Sequence, residues 1–478
     1  MRLPTAALVC VFAAGTVASG QTSGAIGPAP LRLRDAVAEA LRFSPALSGA
    51  EDAVESARIQ NRLAESRFGL KVVPTINTGT APGGLGQRTI GVDVTKRLPF
   101  GSEISTSVNS LTYGTGPAAL HDAGYTIGVT QPLVRGMAST TFDLKNAQRA
   151  TIASSRGMAE ARQQLIVTVA DRFFSVIKAQ RLLLASDRAL DRATTLSKAS
   201  EARTKVGLAT QLDVLRADLL ASQASVTVAA QREALAAATE ELNLLLGRPP
   251  SQPLEIADEE LTDDSLVAQG FRLPNGSDPQ AADRYVRKAL EARLDVREAH
   301  DKVGDAQRTV SLSKWDLLPQ LNLNASYTER GLGPSATPGF ADFLNGWRVG
   351  LTTNYALDRS DQIAAIGSAS VSLRAAQRTA LATDRRVEAD VRRAFRAWAR
   401  SAATIEIQRK SVDLSGKQLR LAELRYERGL ASSLDLIDAE NNLYQAQSAF
   451  IGAEVERALA ALTLDRVSGS LDPARFQP

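Results

Sequence analysis

The sequence predicts a mostly helical protein with a smaller β component, arranged as a tandem repeat. The repeat is visible because residues 203–214 recur, 222 positions later, as residues 425–436. Helices are predicted by two long stretches without proline, residues 142–205 and 361–427, in which apolar residues recur every three or four positions. The β component is predicted by shorter stretches in which apolar and polar residues alternate.

Each copy of the repeated stretch predicts the bend of a helical hairpin. Gly207 and Gly429 can adopt the left-handed backbone conformation that ends a helix. Thr210 and Ser432 then offer side-chain oxygens that cap the next helix, and an aspartate follows three residues later in each copy, at Asp213 and Asp435.

Residues 1–20 have the layout of a secretory signal peptide, which is expected to be cleaved. Arg2 precedes an apolar run over residues 6–14, and small residues follow it. Cys10, the only cysteine of the chain, lies in that run. The mature chain is therefore expected to contain no thiol, which excludes disulfides, thiolate metal sites and cysteine nucleophiles.

Composition narrows the possible classes of protein. A chain of 478 residues with 44% hydrophobic and only 5% aromatic residues can form a large core and favours long helices. Its net charge is +4 and its isoelectric point is about 9.2, but basic and acidic residues alternate without a basic block, so no nucleic-acid partner is expected. No apolar run reaches the length of about 18 residues that predicts a transmembrane helix.

Residues 31–247 form the first predicted repeat. Its first helix, over residues 31–69, contains Pro45, which is expected to kink the helix or to separate a short leading helix from it. The remaining elements are strands within about residues 71–134, the long helix over residues 142–205, a tip at residues 206–213 and a return helix that ends at Gly247.

Residues 281–469 form the second predicted repeat. Its elements are a helix over about residues 283–315, strands within about residues 319–357, the long helix over residues 361–427, a tip at residues 428–438 and a return helix over about residues 433–467. Residues 248–280, rich in proline, glycine and acidic residues, are interpreted as an irregular connector, with an acidic docking site as the alternative. The tail, residues 470–478, shows no clear element.

The last predicted strand illustrates what the alternation can indicate. Trp347, Val349 and Leu351 share one face, while Arg348 and Thr352 lie on the other. An apolar outer face and a polar inner face are typical of a membrane β-barrel, with the tryptophan at the lipid–water interface. A soluble β-sandwich shows the same alternation. The signal peptide and helices of roughly 95 Å, calculated at 1.5 Å per residue, favour the barrel.

Enzymatic chemistry finds no support in the sequence. The two histidines, His121 and His300, are far apart and have no cysteine or paired carboxylates beside them, so each is expected to be inert. No phosphate-binding glycine loop, nucleophile elbow or metal-spaced cluster is present. Neither enzymatic activity nor a cofactor or metal is expected.

Three features together resemble the TolC-like outer membrane factors. They are residues 130–136 (TQPLVRG) at the end of the first strand region, the duplicated tips, and residues 434–439 (LDLIDA) followed by residues 443–446 (LYQA). The resemblance covers nearly all of the mature chain. It implies a homotrimer in which long antiparallel helices form an α-barrel and four strands from each protomer form a shared outer-membrane β-barrel. This chain offers up to six candidate strands, so a hairpin near residues 89–113 is expected to lie outside the shared wall.

The same resemblance implies a function. Such proteins are exit ducts of tripartite efflux pumps or type I secretion systems, and they work with a periplasmic adaptor and an inner-membrane transporter. The chain is therefore expected in the outer membrane, in contact with its lipid, with its helices in the periplasm. The alternative is a structural coiled-coil protein of the cell envelope without a pore; a stand-alone porin is difficult to reconcile with so much helix.

The resemblance also assigns site residues at the tips. Asp435 and Asp438 match a ring of aspartates that narrows the periplasmic mouth, and at this spacing both lie on one helix face. The alternative for Asp435 is that it only stabilises the first turn of its helix. Tyr426 and Asp213 match a hydrogen bond that holds the mouth shut, whereas Ala431 replaces an arginine of the family's other latch.

A further set of tip residues resembles the grooves in which the adaptor docks. It consists of Val206, Gly207 and Leu208 at the first tip and Arg428, Gly429 and Leu430 at the second.

Overall fold

The structure, a computed structural model, describes residues 30–80, 86–114, 119–135, 137–207, 209–257, 261, 279–333 and 343–476. The signal peptide expected over residues 1–20 lies outside these ranges, as does part of the expected connector over residues 248–280.

The first repeat begins with two helices, α1 (Leu33–Phe43) and α2 (Pro45–Ser66). Pro45 is the first residue of α2, where the missing N–H has no helical partner to lose, so it separates two helices instead of kinking one. After the strands follow the short α3 (Met137–Thr140), then α4 (Phe142–Lys205) and α5 (Gln211–Leu246). Helix α4 has the 64 residues that the sequence predicts.

The second repeat contains α6 (Pro279–Ala292), α7 (Leu294–Trp315), α8 (Ser360–Glu427) and α9 (Ser433–Val467). The single helix predicted over about residues 283–315 is wrong, because the backbone is extended at Arg293. There the Asp295 carboxylate accepts a hydrogen bond from the Val296 N–H at 3.0 Å and another from the Arg293 guanidinium at 2.9 Å, at the start of a new helix. The tail contains a short 3-10 helix, Pro473–Phe476, that was not predicted.

Six strands form one antiparallel sheet in chain order. They are β1 (Leu70–Thr80), β2 (Gly86–Arg97), β3 (Glu103–Tyr113), β4 (Leu120–Pro132), β5 (Gln320–Gly333) and β6 (Phe343–Asn354). Strands β4 and β5 join the two repeats edge to edge. The hairpin near residues 89–113, which was expected to lie outside the shared wall, is part of the sheet within the protomer. It forms β2 and β3, each paired on both sides, although serines and threonines obscure its alternation in the sequence.

The long helices lie side by side in the order α5, α4, α9, α8, and α2 and α7 pack on α4 and α8. The main core lies where α1, α4, α8 and α9 meet, around Phe173, Phe174, Val391 and Phe395. A second, smaller core lies near the tips and includes Leu196, Leu220, Tyr426, Leu436 and Leu443. In the described part of the chain, no helix has both the length and the hydropathy needed to cross a bilayer.

Candidate functional site: the two helix tips

The two tips have the same local construction. Each long helix ends before a glycine with a positive φ of 73°, Gly207 in the first tip and Gly429 in the second. An L-residue with a Cβ adopts this conformation only at a cost, so glycine is suited to both positions. Each tip therefore reverses the chain within a few residues.

A capping box begins the next helix in each tip. In the first, the Asp213 N–H donates to Thr210 Oγ1 at 3.2 Å, and the Thr210 N–H donates to Asp213 Oδ2 at 3.0 Å. In the second, the corresponding bonds between Asp435 and Ser432 are 3.3 and 2.9 Å. The helix-stabilising role that was the alternative for Asp435 is therefore observed.

Arg203, near the end of α4, connects the first tip to the second. Its Nη1 donates to the Tyr426 carbonyl oxygen and its Nη2 to the Glu427 carbonyl oxygen, both at 2.7 Å. Its guanidinium also lies 4.5 Å from the centroid of the Tyr426 ring. A cation thus binds the last carbonyls of α8, where the helix dipole is negative.

Asp213 supplies the second connection between the tips. Its Oδ1 accepts a hydrogen bond from Ser433 Oγ at 2.6 Å, while its Oδ2 is engaged in the capping box. Ser433 is buried, so the bond lies beneath the tip surface. We call the contacts of Arg203 with Tyr426 and Glu427, together with the Asp213–Ser433 bond, the inter-tip ties.

The structure does not join the pair that the sequence predicts as a gate link, Tyr426 and Asp213. The buried Tyr426 hydroxyl lies 3.0 Å from Ser200 Oγ, and Asp213 binds Ser433 and Thr210. Both residues connect the two hairpins, but each does so through a different partner. The partners Arg203, Ser200 and Ser433 were not singled out from the sequence.

One sequence signal could have found two of these partners, Ser200 and Ser433, namely divergence between the copies. At the displacement of 222, Tyr426 corresponds to Thr204, Ser433 to Gln211 and Ser200 to Ala422. Arg203 and Asp213 carry no such signal, because the other copy has the same residue types at Arg425 and Asp435.

Hydrogen bonding lowers the pKa of both capping carboxylates. The Ser433 hydroxyl has the largest effect on the pKa of Asp213, and the side chain and backbone N–H of Thr210 follow. The backbone N–H of Ser432 has the largest effect on the pKa of Asp435. Both aspartates are therefore negatively charged at neutral pH.

The remaining predicted tip residues are exposed. Asp435 and Asp438 lie on the surface of α9, so neither is committed to the core. Val206 is 68% exposed and Leu430 is 74% exposed. Gly207, Arg428 and Gly429 are also exposed, and Leu208 lies outside the described residues.

Nothing in this arrangement supplies the parts of a catalytic centre. Among the residues that the structure describes, no three His, Cys, Asp or Glu side chains are grouped so as to hold a metal ion. A six-stranded sheet with one apolar face, continued by helices of 64 and 68 residues that end in exposed tips, defines instead the class of long-helix channel proteins of the bacterial outer membrane.

Comparison with known proteins identifies the family. The family described as "Outer membrane efflux protein" matches residues 36–248 and 285–470, which is most of the chain, so the protein belongs to this family. It is a family of transport proteins. Membership places the sheet in the outer membrane and the helical part in the periplasm.

Similar sequences occur among curated efflux proteins. The chain is 23% identical over 326 residues to the toluene efflux pump outer membrane protein TtgC of Pseudomonas putida, an alignment that covers 66% of this chain and 63% of TtgC. It is 26% identical over 335 residues to the pyoverdine export outer membrane protein OpmQ of the same species, covering 68% of this chain and 66% of OpmQ. The match thus spans somewhat less than two thirds of each relative.

Solved structures share the fold over a larger part of the chain. The outer membrane protein VceC of Vibrio cholerae superposes with a TM-score of 0.70 at 17% identity, covering 91% of this chain and 96% of VceC. The open state of the Neisseria gonorrhoeae MtrE outer membrane channel gives 0.67 at 20% identity, covering 92% and 89%. The structural coiled-coil alternative finds no support in these matches.

Proposed function

We propose that this protein is the exit duct of a tripartite efflux pump or a type I secretion system. Three copies form one channel, which passively conducts substrates received from an inner-membrane transporter and a periplasmic adaptor across the periplasm and the outer membrane. The names of its relatives, which include efflux pump outer membrane proteins, support this assignment.

The observation that carries the proposal is a pair of exposed apolar stripes on the two outermost long helices. On α5, Leu212, Leu219 and Val226 are spaced by seven residues and are 54%, 57% and 71% exposed. On α8, the same spacing separates Ile407, Leu414 and Leu421, which are 51–64% exposed. A seven-residue apolar repeat is typical of a helix that packs along another helix.

Because α5 and α8 lie at opposite ends of the helical row, the stripes suit a ring of protomers in which α5 of one copy meets α8 of the next. The sheet supports the same closure. Its outer strands, β1 and β6, each pair with a neighbour on one side only within the protomer. A sheet in lipid must pair its edges, which closure into a barrel achieves.

Substitutions in the stripes test this assembly. Leu219→Glu and Leu414→Glu place a charge in each proposed seam, and we expect native mass spectrometry in mild detergent to show monomers in place of trimers. Leu219→Met and Leu414→Met are the matched controls and should remain trimeric. Trimers that persist in both glutamate variants, or a wild-type protein that is monomeric, would contradict the proposal.

The exposed tips serve two roles in this proposal. Val206, Gly207 and Leu208 with Arg428, Gly429 and Leu430 form the surface on which the adaptor docks. Asp435 and Asp438 gather six carboxylates around the axis of the trimer and set its cation selectivity. Tyr426 and Asp213 restrain the mouth through the inter-tip ties instead of through a bond to each other.

Single-channel recording tests the aperture. We expect the Asp435→Ala/Asp438→Ala double variant to conduct more in the closed state and to lose block by multivalent cations, because the carboxylates that would bind the cations are gone. Glu51→Ala, at an exposed position on α2, is the control and should behave as wild type. Unchanged leak and block in the double variant would remove Asp435 and Asp438 from the gate.

A further inference from the structure

The hairpin formed by β2 and β3 spans the full height of the sheet. Leu70, the first residue of β1, pairs with Lys96 near the end of β2, and Glu103 at the start of β3 pairs with Thr130 near the end of β4. An ion pair of 2.8 Å between Arg97 and Glu103 closes the turn. The hairpin is thus as tall as the strands on either side of it.

The hairpin also continues the mainly apolar face of the sheet. Across the middle of the sheet, register places Ile76, Ile90 and Ser110 in one row, and Pro74, Val92, Val108 and Tyr125 in the next. Tyr125 pairs with Glu329 and its hydroxyl donates to that carboxylate, while through Ile127 and Val129 the same face continues to Tyr327 and Ala325 of β5 and to Trp347 and Val349 of β6.

Among the residues that the structure describes, these apolar side chains are left largely uncovered. Val108 is 53% exposed, Ile90 is 42% exposed and Val349 is 69% exposed. The opposite face of the hairpin is polar: Gly91, Asp93, Ser107 and Asn109 are on it, in register with Gly124 and Thr126 of β4. A strand that is apolar outward and polar inward suits a wall between lipid and water, whereas a hairpin folded into the lumen or the periplasm would meet water on both faces.

We propose that β2 and β3 belong to the membrane wall, so that the trimer closes into a barrel of eighteen strands instead of twelve. This inference rests on the proposed trimeric function. At a strand spacing of about 4.8 Å, the circumference measured across the strands rises from about 58 Å to about 86 Å. The added lumen wall carries hydroxyl and amide side chains, which suits passage of hydrated solutes wider than a twelve-stranded barrel admits.

Cysteine labelling tests the orientation of the hairpin. In a background with Cys10→Ala, the lumen-facing variants Asp93→Cys and Ser107→Cys should react with a membrane-impermeant hydrophilic maleimide. The lipid-facing variants Val92→Cys and Val108→Cys should not react with this hydrophilic reagent and should react with a lipid-soluble maleimide. On β4, Thr126→Cys is the lumen-facing control and Ile127→Cys is the lipid-facing control, and they should react in the same two ways. Reaction of all four hairpin cysteines with the hydrophilic reagent would overturn the proposal.

Cryo-electron microscopy of the full-length protein in nanodiscs counts the strands directly. Eighteen strands in the wild type, and twelve after deletion of residues 86–113, which removes one ascending and one descending strand, would support the proposal. A trimeric wild-type channel with twelve strands would overturn it and leave the proposed function intact. A monomer without a pore would overturn the proposed function as well.

Discussion

The two tips share a backbone but differ in what their side chains reach. Both have a glycine at a φ of 73° and a capping box of similar hydrogen-bond lengths. Asp213 uses its second carboxylate oxygen to bind Ser433, whereas Asp435 bonds Ser432 within its own tip. Arg203 binds the end of the other long helix, while its counterpart Arg425 is exposed.

The difference shows how two copies of one duplicated segment can come to make different contacts. The repeated stretch supplies two equal turns, and the first tip holds the second through Arg203 and through Asp213, whose partner Ser433 corresponds to Gln211 in the first copy. The second tip therefore keeps an exposed capping carboxylate, Asp435, which is available to the proposed aperture. The first tip uses the same group, at Asp213, to restrain its neighbour.

Removal of Arg203 should produce the largest difference between the two tips. Arg203→Ala deletes two charge-assisted hydrogen bonds and a cation–π contact, for which we expect a loss of about 2–3 kcal/mol in the local opening free energy of the α8 C-terminus. Arg425→Ala, at the equivalent position, should change it by less than about 0.5 kcal/mol. Hydrogen exchange of the amides near residues 426–430 measures both. Equal effects at the two arginines would refute the anchor assignment.

Loss of the second tie should have a smaller effect. Ser433→Ala removes only the bond to Asp213, and we expect about 1 kcal/mol less protection at the start of α9. Asp213→Asn weakens both this tie and the cap of α5, so amides at both tips should exchange faster.

The double variant separates these two contributions. If Ser433→Ala acts only through Asp213, it should add little to Asp213→Asn at the start of α9. Full additivity would mean that the 2.6 Å bond contributes nothing to the contact between the tips.

Acidification should loosen the second tie, the Asp213–Ser433 bond. The folded-state pKa of Asp213 lies below its ordinary value near 3.8, so the stabilisation is fully present above that value and is lost as pH falls through the lowered folded pKa. We expect faster exchange at the start of α9 when pH falls from about 5 to about 3, after correction for intrinsic rates. Ser433→Ala should reduce this response. A response of the same size in wild type and variant would assign it to another group.

Sequence reasoning reached the elements more readily than the contacts between them. The ends of α4, α5, α8 and α9 follow from local signals, namely uninterrupted apolar periodicity, a terminal glycine and an N-cap oxygen. The break at Arg293 was missed because it depends on one extended residue and its bonds to Asp295, which periodicity does not report. The inter-tip ties were missed for a related reason, since they join residues more than 200 positions apart.

In the sheet, too, sequence reasoning reached the elements more readily than the pairing between them. Alternation indicated most strands clearly and β3 only weakly, yet it gave no means to decide that β2 and β3 pair with β1 and β4, because register is a property of two strands together. The resemblance pointed to four strands for each protomer and so favoured leaving one hairpin out. The structure shows that β2 pairs with β1 and β3 with β4, and this pairing places the apolar residues of the hairpin on the same face as those of β1 and β4.

The smallest expected difference concerns the caps themselves, and it tests whether the tips differ only in their ties. Thr210→Ala and Ser432→Ala each remove one N-cap oxygen, and each should lower the opening free energy of the following helix turn by about 1 kcal/mol. We expect nearly equal losses, because both boxes have the same pattern of bonds. Hydrogen exchange at residues 211–214 and 433–436 measures them, with Thr210→Ser as a control that preserves the cap. A much larger loss at one tip would show that the turns had also diverged, and the asymmetry would then begin in the backbone instead of in Arg203 and Asp213.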